Sequence, residues 1–141
     1  MALILMSHGS MAIETLKSAE LIVGELPNTV ALGLQKSDGP EDLKAKAETA
    51  IKEFYGKEPV YLFVDLLGGT PGNVAVSLTQ DYPDMEVVSG LNLPMVIEYA
   101  NQKFVGPDIN VANLLKEAKG GIVSINEFLS ATVDEDDEED E

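Results

Sequence analysis

Short apolar runs that stop at small or polar residues, each followed by a stretch of helical periodicity, constrain this chain more than any other feature. Residues 2–6 form the first run and lead into Ser7-His8-Gly9-Ser10. The strongest run, Val60-Tyr61-Leu62-Phe63-Val64, leads into Asp65-Leu66-Leu67-Gly68-Gly69-Thr70-Pro71. Residues 29–34, interrupted by Gly33, and residues 85–88, closed by Ser89-Gly90, are further runs of strand length. The first run is short and uncharged, as a strand covered on both faces would be.

The intervening stretches read as helices. Over residues 11–24 Ala12, Ile13, Leu16, Ala19, Ile22 and Val23 form a stripe, with Ser10 as N-cap and Gly24 and Pro27 at the exit. Pro40, Glu41 and Asp42 suit a second start, and Leu43, Ala47, Ala50, Ile51 and Phe54 supply its buried side. Thr70 as cap and Pro71 at the first helical position open a third helix. Asn92-Leu93-Pro94 turns into a fourth helix reaching about residue 103, and residues 110–119 form a fifth. Gly120-Gly121 then separate Ile122-Val123-Ser124-Ile125, read as a last strand. The alternation predicts an α/β fold with a mostly parallel central sheet and helices on both faces. Right-handed crossovers place the loops after the strands on one edge, where such sheets bind their ligands.

Charge divides the chain in two. Of the net charge of −16, residues 134–141, eight consecutive acids, supply half. The rest carries 17 acids and 9 bases, or −8. A like-charge block repels itself, so residues 131–141 are expected to be a disordered acidic tail beyond a domain of residues 1–130. An acidic body speaks against nucleic acid and anionic membrane and suits a basic protein partner. No apolar run reaches the length of a bilayer span, and the N-terminus has no signal-peptide pattern, so a cytoplasmic location is expected. With no cysteine and one histidine, disulfides, thiol catalysis and cysteine zinc sites are excluded, and no metal site is expected.

The chemistry concentrates on three loops. His8 is the sole histidine. Neutral imidazole is a nucleophile at neutral pH, and small neighbours leave room around it, which suits a phosphoryl acceptor. The alternative is a histidine that packs at a strand end. Asp65 could orient the ring and offset positive charge on it, or merely cap its turn. Gly68, Gly69 and Gly9 could turn backbone amides toward an anion, and the Thr70 and Ser10 hydroxyls lie beside them. Thr70 could equally serve only as a cap. No Walker-type ending follows, so nucleotide binding has no support. Met11, Leu66, Leu67, Asn92 and Met95 are candidates for a rim that meets a partner, though any could be core. A Ser-His-Asp triad can be drawn from Ser7 or Ser10, but no nucleophile elbow is present.

Ser7-His8-Gly9, Asp65-Leu66-Leu67-Gly68-Gly69-Thr70-Pro71 and Gly90-Leu91-Asn92-Leu93-Pro94-Met95 together resemble the enzyme IIA components of the bacterial sugar phosphotransferase system, mannose/fructose/sorbose class. The match in order and spacing runs over residues 2–125. The resemblance implies a phosphohistidine relay in coupled sugar uptake: the phosphocarrier HPr donates to His8, and His8 passes the group to a IIB domain that serves a membrane permease. It implies His8 as the phosphorylated residue, Asp65 as its orienting partner and Thr70 as a phosphoryl contact. It also implies no cofactor and a homodimer in which the last strand, antiparallel, is exchanged into the partner's sheet. Related readings are a phosphotransfer subunit serving dihydroxyacetone kinase and a regulatory module that reports phosphorylation state. Two departures stand out. Gly72 replaces a residue that is often bulky and aromatic, and the acidic tail lies outside the family pattern, where it could replace a linker to IIB.

Overall fold

The computed structural model describes residues 1–139. Its strands are β1 (Ala2–His8), β2 (Thr29–Leu34), β3 (Val60–Val64) and β4 (Glu86–Ser89). They lie in the order β2-β1-β3-β4, and every neighbouring pair is parallel. The helices among the described residues are α1 (Met11–Val23), α2 (Pro40–Phe54), α3 (Gly69–Asp81), α4 (Leu93–Val105), α5 (Val111–Gly120) and α6 (Ile125–Glu139).

Strand alternation sorts the core into two layers. Leu3, Leu5, Tyr61 and Phe63 pack with Ala12 and Ala19 of α1, Val96 and Tyr99 of α4, and Leu114 of α5. Ala2, Ile4, Met6, Leu62 and Val64 pack with Leu43, Ala47 and Ile51 of α2 and with Val74 and Leu78 of α3. Each fully buried Leu, Ile or Phe stabilises the fold by about 1.5–3 kcal/mol before entropy is counted. β1 and β3 occupy the centre, where residues 2–7 and 60–64 are buried, whereas β2 at one edge is half-buried throughout. The chain leaves β1 toward β2 on one side and returns to β3 on the other. The strand order therefore reverses between the carboxyl ends of β1 and β3, the place where such sheets bind their ligands.

Three expectations change. Gly33 does not interrupt β2: it pairs in register opposite Ser7. A Cβ there would lie 2.1 Å from the Gly9 carbonyl oxygen, so this strand position needs glycine because a turn lies across it. Residues 122–125 form no strand: residues 122–124 are coil and Ile125 begins α6. A strand needs a neighbour. Gly121, where a Cβ would meet Pro94 Cγ at 2.5 Å, sends the chain away from the sheet, and every residue from 121 to 133 is exposed. The sheet of the single chain is wholly parallel as a result. Finally, helical backbone continues to Glu139 where charge repulsion predicts no order, and Asp140 and Glu141 lie outside the described residues. Helix propensity of the Glu and Ala residues and propagation from a formed first turn favour that continuation.

Candidate functional site

β1 ends by sending successive side chains to opposite faces. Ser7 follows Leu5 toward α1, and His8 follows Met6 toward α3. β3 ends alongside, and the Asp65 amide donates to the Met6 carbonyl at 3.2 Å. The carboxylate then turns back to His8. Asp65 Oδ2 lies 2.7 Å from His8 Nδ1 and accepts the His8 backbone N–H at 2.9 Å. Oδ1 accepts the Leu66 N–H at 2.9 Å. The imidazole is 48% exposed and the carboxylate 6%. Thus two segments 57 residues apart meet at the reversal point of the sheet.

The proton bookkeeping follows from Asp65. Burial by itself would raise its pKa. The His8 amide, the His8 ring and the Leu66 amide together outweigh burial and hold the carboxyl below its ordinary value. An ionised Asp65 is an acceptor only, so Nδ1 carries the proton and Nε2 keeps its lone pair. Gly69 flanks that nitrogen. It has φ +77°, and a Cβ there would lie 2.8 Å from His8 Cε1 and 3.0 Å from Nε2. Glycine is required at this position both for the turn and for the approach of the ring.

The remaining candidates divide. Met11, Leu66 and Leu67 are exposed, as a rim requires. Met95 is not: it is 2% exposed in the core under α4. Asn92 caps α4, accepting the Met95 N–H at 2.9 Å and donating to the Ala118 carbonyl at 2.9 Å. Both are therefore structural, because their side chains are engaged within the fold. The Gly9 amide donates to the Leu34 carbonyl at 2.8 Å and is not free for an anion. Gly9 serves instead through its φ of +56° in the turn after His8.

The expected caps also move. Ser10 stands at the N-cap position of α1 but its side chain makes no capping bond. Ser7 does this work from β1, where its Oγ accepts the Ala12 N–H at 2.7 Å. A triad through Ser7 is excluded by the same contact, since its hydroxyl lies on the sheet face opposite the ring. α3 begins at Gly69 with Gly68 as N-cap, so Thr70 and Pro71 lie two positions further in than expected. Thr70 is half-buried and lines a groove of about 390 Å³ between the first turns of α2 and α3. At Gly72 a Cβ would meet the Leu66 and Leu67 carbonyl oxygens at 2.6 Å. The Asp65 loop thus rests on α3 in the space a side chain would take. The capping role of Ser7 and the close approach at Gly33 are what motif reading missed. The signal for Ser7 was its parity with Leu3 and Leu5, which places it on a buried face.

A half-exposed imidazole is thus braced by a buried carboxylate at the reversal point of a parallel α/β sheet, beside a helix N-terminus. The family model "PTS system fructose IIA component" matches residues 2–111. The chain belongs to the mannose-class IIA components of the phosphotransferase system. It is 33% identical over 97 residues to the "PTS system fructose-specific EIIA component" of Bacillus subtilis, a match covering 69% of this chain and 66% of that protein. It is 31% identical over 139 residues to the "PTS system sorbose-specific EIIA component" of Lacticaseibacillus casei, covering 97% of this chain and 99% of that protein. Among solved structures, the mannose/sorbose-specific IIA subunit of the phosphotransferase system from Enterococcus faecalis superposes with a TM-score of 0.77 at 42% identity, over 88% of this chain and 93% of that one. No helix among the described residues is long and apolar enough to cross a membrane.

Proposed function

We propose that this protein is a cytoplasmic phosphocarrier in which His8 accepts a phosphoryl group from phospho-HPr and passes it to a IIB domain during coupled sugar uptake. The observation that carries this reading is the orientation of the ring: Nδ1 is held by Asp65 at 2.7 Å, and Nε2 is left to an approaching donor. The Nε2 lone pair forms the new N–P bond as the donor's N–P bond breaks in line, and that bonding pair returns to the donor ring. Nδ1 keeps its proton throughout, and Asp65 offsets the positive charge that builds on the imidazole. Gly68, Gly69 and Thr70 place the start of α3, with its dipole and unpaired amides, against the incoming oxygens. The Ser10 and Thr70 hydroxyls supply further donors. Met11, Leu66 and Leu67 form the apolar rim against which each partner protein seats. Alignment and charge neutralisation suffice for this transfer, so no metal or diffusible cofactor enters the scheme.

The relatives' names carry different sugars, in keeping with sugar choice lying in other subunits. The reading includes a homodimer in which residues 122–125 join the partner's sheet as an antiparallel strand. The open outer edge of β4 and the exposed Ile122 and Val123 support it. Residues 131–141 are then a separable acidic tail. The test is ³²P incorporation from phosphoenolpyruvate with purified enzyme I and HPr. The wild type is expected to take label in acid-labile form and His8→Ala to take none. Undiminished label in His8→Ala would remove His8 from its role.

A further inference from the structure

We infer that Ser7 is the positioning residue that sets the His8 imidazole, acting from the opposite face of the sheet. Its side chain is fully buried and does two things at once. Oγ accepts the Ala12 N–H at 2.7 Å, and the hydroxyl points to the Gly9 carbonyl at 3.4 Å. One end of this bridge is the first turn of α1, and the other is the turn immediately after His8. Gly9 is pinned a second time, its amide donating to Leu34 and its carbonyl resting against Gly33. The backbone on both sides of His8 is thereby fixed, which lets its own N–H and its Nδ1 reach the same Asp65 oxygen. Because Ser7 satisfies the Ala12 amide, the Ser10 side chain is released from capping and stays exposed.

Removing the hydroxyl leaves a buried N–H without a partner and frees the Gly9 turn. The ring then samples positions away from Asp65, and Nδ1 loses its preference for the proton. This inference deepens the phosphocarrier reading of His8, and its main readout needs no phosphotransfer. In the full-length protein, ¹⁵N NMR of the imidazole reports the tautomer. Wild type is expected to show the Nδ1–H form in excess. Ser7→Ala is expected to shift the ratio toward that of free histidine, in which Nε2–H prevails, and to slow labelling by phospho-HPr roughly tenfold. Ser7→Thr, which keeps the hydroxyl, is expected to restore both. Tyr61→Phe is the control: it removes another buried acceptor, the one that takes the Ile109 N–H at 2.9 Å, but far from His8 along β3. It is expected to lower Tm without moving the tautomer ratio. Should Ser7→Ala not fold, Ser7→Cys, a weaker acceptor, takes its place with the same expected shift. A folded variant lacking the hydroxyl that keeps the wild-type ratio would overturn the inference. A shifted ratio with a wild type that takes no label would retain Ser7 as positioner and overturn the phosphocarrier reading instead.

Discussion

The carboxyl edge of the sheet and the segment beyond Gly121 both expose apolar side chains near acids, but on opposite structural terms. At the edge, Leu66 and Leu67 project from backbone tied down on all sides: Asp65 N–H to Met6, Leu66 N–H to the Asp65 carboxylate, Leu91 N–H to Val64. Beyond Gly121, Ile125, Phe128, Leu129 and Val133 line one side of α6 and are all exposed. Local capping, such as the Glu127 N–H to Ser124 Oγ at 3.3 Å, is what holds the start of α6. Helices of this length are marginal alone. The six acids of residues 134–139 also load its C-terminal end, where the helix dipole is already negative. The first set of apolar groups stands on backbone held by hydrogen bonds between distant segments; the second stands on a helix whose start is held by bonds within its own turn.

Asp65→Ala has the largest expected effect: labelling of His8 slows at least tenfold while circular dichroism stays near wild type and Tm falls, and a wild-type rate would leave Asp65 purely structural. Next, Phe128→Asp with Leu129→Asp is expected to convert dimer to monomer in light scattering without altering the His8 tautomer ratio. A changed ratio would mean that the two regions are coupled. Gly69→Ala forces a side chain into φ +77° and against the ring, so it is expected to destabilise by more than about 1 kcal/mol in urea titration and to slow labelling.

Acid gives a smaller effect with a defined sign. Asp65 has a lowered pKa in the folded protein, so its contribution is complete above the unfolded value of about 3.9 and is lost as pH falls through the folded one. The Tm gap between wild type and Asp65→Asn is expected to be constant at neutral pH and to close below about pH 4. A gap that widened in acid would reverse the assignment. Deleting residues 134–141 is expected to leave Tm within a degree or two at physiological salt, of the size a surface change produces. A larger drop would show the tail docked on the body.

How much was legible varied with how local the cause was. The strand at 60–64 and the helices at 11–23 and 40–54 follow from apolar spacing and from Pro40, because both layers of the core reuse the same periodicities. His8 and Asp65 were legible as a pair because each ends a central strand. Met95 and Asn92 were misplaced because a loop motif does not say which side chains turn inward. Ser10 looked like a cap because spacing along the chain cannot show that Ser7, across the strand end, already provides one.

By itself the sequence determined the α/β alternation and the placing of His8 and Asp65 at the carboxyl ends of two strands, since these depend on period and strand ends. Only the tertiary structure decided which imidazole nitrogen faces outward, which glycines must lack a Cβ, and that residues 122–125 find no edge within one chain. Those outcomes depend on contacts between segments distant along the chain, and no local pattern encodes a distance across space.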